Sequence, residues 1–213
     1  MDAETIGALG AAVFLLIISF PVHEAAHATM AWRLGDGHAR ALGRVSLDPR
    51  RHIDPLGAGL LILSAISGGW MIGWAKPTPV LPQSLRGGAL GWATVALAGP
   101  ASNLILAVVV AGLYRVLPGS SLPDFIAFFL LYFTYYNVAL FFLNLLPIPP
   151  FDGRAVLVGL LGLLSPRLAD QVEGASASRF AFPIVIAIIF FTPLGSLLGS
   201  LSIGLTELLL GPG

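Results

Sequence analysis

Apolar positions in this chain gather in long unbroken runs, with no strict alternation of apolar and polar residues. The runs cover residues 6–22, 55–75, 87–114, 125–151, 155–166 and 180–206. A bilayer core of about 30 Å takes roughly 20 apolar residues as helix, and at least four runs reach or approach that. In lipid only helices and closed barrels satisfy their backbone polar groups, and unbroken runs are not the barrel pattern. The expected class is an all-α polytopic membrane protein with four to six transmembrane helices.

Composition strengthens this reading. Of 213 residues, 56% are hydrophobic and only 10% charged, against about 25% charged in soluble domains. Mean hydropathy is +0.89. Net charge is zero and no basic stretch forms a nucleic-acid patch. Cysteine is absent, which removes disulfides and thiolate metal sites together. The first residues, Met1-Asp2-Ala3-Glu4, are acidic where a signal peptide is basic, so the first run is expected to be a retained span.

Along the chain, the first helix is expected over about 5–32. The most polar stretch, 33–54, follows, with Arg33, Arg40, Arg44, Arg50 and Arg51 interleaved with Asp36, Asp48 and Asp54. Arginine beside a span marks the cytoplasmic side, which places the protein in the cell membrane with its polar loop inside. Run 55–75 is glycine-rich and leads into Lys76-Pro77-Thr78-Pro79-Val80, where the prolines favour extended backbone. It either spans or dips in and returns as extended chain. The third run holds an interior Gly99-Pro100 and Asn103, expected to interrupt the helix and to need protein around them. The fourth extends to about Leu146 and breaks at Pro147, Pro149 and Pro150. A polar loop over 167–179 precedes a last apolar region interrupted by Pro183 and Pro193. One integral-membrane domain is expected over 1–213, with a core of about 5–164 and a C-terminal apolar segment of about 180–210. Trp32, Trp70, Trp74 and Trp92 read as interfacial anchors. His38 and His52 read as solvated or interfacial histidines.

His23-Glu24-Ala25-Ala26-His27 carries the chemistry. Residues four apart share a helix face, so both imidazoles can bind one metal, and Glu24 beside them can take a proton from the attacking water. Zinc suits such ligands and acidifies water. The bland alternative, three buried structural polar groups, is expensive at membrane depth. Catalytic zinc sites use three protein ligands, so a further carboxylate or imidazole is required. Asp152 fits best, lying between apolar runs beside the proline break. Its competing role is N-cap of the following helix.

With these motifs the chain resembles the site-2 protease family of intramembrane zinc metalloproteases. The matching residues are His23-Glu24-Ala25-Ala26-His27, Gly99-Pro100-Ala101-Ser102-Asn103, and the stretch from Asn144 through Pro147 and Pro149 to Asp152-Gly153. The last fits the family's N-x-x-P-x-P-x-x-D-G pattern at each fixed position. The resemblance covers about 5–164 and is to the minimal, core-only type, without inserted peptide-binding or nucleotide-sensing domains. It implies one zinc per chain on His23, His27 and Asp152, with Glu24 as base. It further implies that Asn144 holds substrate or the developing oxyanion, unless it makes a helix–helix hydrogen bond, and that Asn103 gives packing or supporting contacts, with a direct role toward substrate as the alternative.

The implied partner is a membrane-protein substrate with a transmembrane segment, in the lipid bilayer, and the implied reaction is peptide hydrolysis. A metal transporter and an inactive scaffold are the alternatives. A transporter has no use for a glutamate at catalytic spacing, and an intact Glu24 argues against a scaffold. Parity adds an expectation. The zinc motif lies near the arginine-rich end of the first helix, and Asp152 must reach the same depth. If 55–75 spanned, the fourth segment would deliver Asp152 to the opposite face; a re-entrant 55–80 lets the two meet. A re-entrant element and a proline-broken helix carrying the third ligand are therefore expected, with the active site toward the cytoplasmic side.

Overall fold

A computed structural model describes residues 1–67, 72–117, 122–175 and 181–211. Trp70 and Arg179 lie outside the described residues. Among those described, the regular elements are helices, and four helices are long and apolar enough to cross a membrane: Ala3–Arg33, Gly88–Val116, Asp124–Asn144 and Pro193–Leu210. The protein is an all-α polytopic membrane protein.

The first span comprises α1 (Ala3–Phe14), a π-helical turn (Leu15–Ser19) and α2 (Phe20–Arg33). Pro21 has no N–H to give the carbonyl of Ile17, and the wider turn absorbs that loss just before the histidines. Pro21 was the sequence signal for an irregular turn here. After the short helix α3 (His38–Ala41) comes α4 (Pro55–Ile66), capped by Asp54, whose Oδ1 accepts from the N–H groups of Leu56 and Gly57. Twelve residues make about 18 Å of helix, short of a span. The chain then returns beside its departure point. Ile53 pairs antiparallel with Ala75, and the Lys76 N–H donates to the His52 carbonyl at 2.7 Å.

The remaining helices are α5 (Gly88–Val116), α6 (Asp124–Asn144), α7 (Gly153–Leu164), α8 (Pro166–Ala175), α9 (Ala181–Phe191) and α10 (Pro193–Leu210). The expected interruption at Gly99-Pro100 does not occur. Helix α5 runs through both residues, and Pro100 is fully buried against protein, where a transmembrane helix tolerates a missing N–H. The interruption expected at Pro183 is also absent, since α9 carries it in the first turn and the break falls at Thr192-Pro193.

Packing follows residue size. The inward side of α5 is Ala93, Ala96, Ala107 and Ala111, and α2 contributes Ala25, Ala28 and Ala31. The outward side of α5 presents Leu97, Ile105, Val108, Val109 and Leu113. Small residues at interfaces and branched residues toward lipid are the arrangement expected where lipid is as apolar as leucine.

The polar stretch is better packed than its composition suggests. Arg44 is buried and donates to the carbonyls of Arg51, Lys76 and Pro77, the last at 2.9 Å. Asp36 is buried and accepts from the N–H of Leu81 at 2.7 Å. Together they clamp both ends of the extended segment 76–81. His52, expected to be solvated or interfacial, is fully buried; its Nε2 donates to the Ser46 carbonyl at 2.7 Å, and burial holds its pKa below the ordinary histidine value. His38 is exposed, as expected. Trp32 is exposed beneath the Arg40 guanidinium at 4.1 Å, and Trp92 lies 5.4 Å from that of Arg154.

Candidate metal centre

Helix α2 sets His23 and His27 one turn apart on one face, with ring centroids 4.7 Å apart. The third group arrives from the far side of the proline break. Helix α6 stops at Asn144, and the chain turns through Pro147, Pro149 and Pro150 before α7 starts at Gly153. The turn folds so tightly that a Cβ on Gly153 would meet the carbonyls of Leu145 and Leu146. Asp152 occupies the N-cap position of α7, yet its side chain makes no capping bond. It points at the histidines instead, with Oδ2 at 3.2 Å from His23 Nε2 and 3.3 Å from His27 Nε2. The two Nε2 atoms are themselves 3.0 Å apart.

The hydrogen bonds on the other side of each ring decide what these three atoms can do. His23 Nδ1 lies 2.5 Å from Asn103 Oδ1, and His27 Nδ1 lies 2.8 Å from the Val95 carbonyl oxygen. Both partners are acceptors only, so both Nδ1 atoms carry a proton, and in the neutral rings both Nε2 atoms present lone pairs. Two lone pairs and a carboxylate oxygen thus converge, and Asp152 Oδ2 is buried without a hydrogen-bond donor. With neutral rings such a cluster is repulsive until a proton or a metal ion sits within it. Nitrogen and oxygen ligands at 2.0–2.1 Å in tetrahedral geometry lie about 3.3 Å from one another, close to the separations found here. The donor set fits zinc, and His23, His27 and Asp152 could hold a metal ion.

The approach of α5 to α2 depends on Gly99. A Cβ there would lie 2.6 Å from His23 Nε2 and closer still to His27 Nε2. The GPxxN stretch thus serves twice, through the missing side chain of Gly99 and the amide of Asn103.

Glu24 is buried beside the cluster without joining it. Its Oε2 accepts from the Thr78 N–H at 2.7 Å, and the Thr78 hydroxyl donates to the Glu24 carbonyl at 3.0 Å. Sequence reasoning passed over Thr78. Its signal is the flanking pair Pro77 and Pro79, which hold the backbone extended and leave Thr78 the N–H between them. Asn137 was also missed. It is fully buried and accepts from Asn103 Nδ2 at 3.1 Å. An amide in the middle of the Phe-, Tyr- and Leu-rich fourth run was its signal. Asn144 turns elsewhere, donating from Nδ2 to the Leu140 carbonyl of its own helix at 2.9 Å.

Three relatives share most of their length with this chain. The Bacillus subtilis (strain 168) protein is 35% identical over 190 residues, covering 86% of this chain and 81% of its own. A Mycolicibacterium smegmatis protein is 36% identical over 203 residues, covering 90% and 73%. A Mycobacterium tuberculosis protein is 30% identical over 210 residues, covering 90% and 72%. The first bears the name "Putative zinc metalloprotease YwhC" and the other two "Putative zinc metalloprotease Rip2". No family model matches the chain, and no solved structure matches it. With the metal-ligand cluster on apolar helices, these similarities place the chain in the zinc metalloprotease family of YwhC and Rip2.

Proposed function

We propose that the protein is an intramembrane zinc metalloprotease of the site-2 protease type, hydrolysing peptide bonds in or near transmembrane segments of other membrane proteins. The observation that carries this reading is the convergence of His23 Nε2, His27 Nε2 and Asp152 Oδ2, with both Nδ1 protons committed elsewhere. A zinc ion on these three groups supplies a Lewis acid that acidifies water and polarises the scissile carbonyl. Asn103 and the Val95 carbonyl keep the two rings in the ligating tautomer. The Thr78 N–H on Oε2 fixes the Glu24 carboxylate and leaves Oε1 for proton transfer. At Oε1 Glu24 takes the proton of the attacking water and returns it to the leaving amine. Asn144 serves substrate binding in this reading only after its side chain turns away from Leu140.

Two measurements test it. Purified protein in liposomes should cleave a single-span substrate, lose cleavage to a chelator and regain it with zinc. His27→Ala should hold no zinc, and Asp152→Asn should bind it weakly and cleave nothing, because a neutral amide is a poor zinc donor. Full zinc content in both variants would rule the centre out. For topology, the pairing of Ile53 with Ala75 supports a 55–80 element that enters and leaves the membrane on one side, the cytoplasmic one. On this cysteine-free background, single cysteines at Asp54 and Ser84 should label from the same side. Labelling from opposite sides would refute the re-entrant element.

A further inference from the structure

We propose that Asn137 is a positioning residue for the metal centre, acting through Asn103 to keep the lone pair of His23 Nε2 aimed at the metal. This rests on the zinc reading above. An asparagine amide has two ends of nearly equal size, one accepting and one donating, so packing alone does not choose between them. The choice at Asn103 matters. With Oδ1 toward His23, the ring proton sits on Nδ1 and Nε2 is free to ligate. With the amide reversed, an NH2 group would face Nδ1 and drive the proton to Nε2, removing the ligand.

The chain of bonds behind Asn103 makes that choice. Asn103 Nδ2 donates to Asn137 Oδ1 at 3.1 Å, and Asn137 Nδ2 donates to the Phe133 carbonyl at 2.9 Å. The Phe133 oxygen accepts only, so it orients Asn137; Asn137 in turn orients Asn103, and Asn103 orients His23. Reversing either amide sets donor against donor or acceptor against acceptor. Both asparagines are 0% exposed, so water is not at hand to repair a mismatch. Helix α6 thereby fixes the tautomer of a ligand on α2 through a residue on α5. Thr134, one turn before Asn137 and equally buried, donates only to the Leu130 carbonyl of its own helix and supplies a control.

Zinc affinity, measured by chelator competition on detergent-purified protein, is the readout. Asn137→Leu should weaken binding by about tenfold, the lower end of the range for residues that orient metal ligands. In an Asn103→Ala background the same change should add no more than about twofold, the ordinary error of additivity, because the relay is already cut. Thr134→Val should stay within about twofold of wild type. If Asn137→Leu does not fold, Asn137→Thr replaces it; a threonine can bond its own helix as Thr134 does, yet is too short to reach Asn103. Unchanged affinity in the Asn137 variant, an equal loss in the Asn103→Ala background, or a matching loss in Thr134→Val would each overturn the proposal. Wild-type protein that binds no zinc would instead overturn the zinc reading itself.

Discussion

Glu24→Gln is expected to cut cleavage of a single-span substrate by about 10²–10⁴-fold, the usual contribution of a general base, while zinc content stays near that of wild type. The separation of the two outcomes follows from the geometry. Glu24 is not among the three converging atoms, so its charge is not needed to hold the metal. Glutamine has the same shape, and its amide oxygen can still accept the Thr78 N–H that now binds Oε2 at 2.7 Å. The Thr78 hydroxyl bonds the Glu24 main-chain carbonyl, which the substitution leaves in place. The extended segment therefore stays docked, clamped also by Asp36 and Arg44. What is lost is an atom able to take a proton. Initial rates in liposomes, with zinc per chain measured on the same samples, check this. A metal transporter would keep most of its flux in the variant, and a scaffold would cleave with neither form. Equal cleavage by variant and wild type would remove Glu24 as the base.

Much of the centre was legible because its chemistry is local. His23 and His27 share a turn of helix, and only spacing is needed to see that both can reach one ion. The proline break before Asp152 announced a carboxylate at unwound backbone, and in the structure Asp152 stands at the N-cap position but makes no capping bond. The long spans were legible because lipid demands uninterrupted apolar helix. What escaped depends on who sits behind whom. Gly99-Pro100 read as a helix break, since in isolation it is one; packing against α2 makes the glycine a clearance and the proline a tolerated interior residue. Thr78 is 54 residues from Glu24, and Asn137 is 34 from Asn103, separations that no periodicity links. His52 read as solvated or interfacial because its neighbours in sequence are charged, while its neighbours in space cover it completely.

Gly99→Ala should abolish the metal centre without unfolding the protein, weakening zinc binding by at least roughly 10–100-fold, the cost of disturbing residues that orient ligands. The added Cβ would stand 2.6 Å from His23 Nε2 and nearer still to His27 Nε2, so something must move. One relief turns the imidazoles aside and ends their convergence on Asp152. The other slides α5 away from α2. Helix α5 also carries the Val95 carbonyl and the Asn103 amide, which hold the same two rings by their Nδ1 atoms. Either movement therefore damages the site, and no third route spares it. The stability cost is smaller than the functional one: overpacking costs about 1–3 kcal/mol, within the roughly 5–15 kcal/mol of a folded domain. Gly112→Ala on the same helix is the comparison. Nothing lies within 4 Å of a Cβ there, and alanine is favoured over glycine inside a helix by about 0.5–1 kcal/mol. It should fold, bind zinc and cleave like wild type. Chelator competition and thermal melts on both variants separate the cases. Full zinc affinity in Gly99→Ala would show that α5 and the imidazoles can part without loss, and that the close approach at Gly99 is not what shapes the centre.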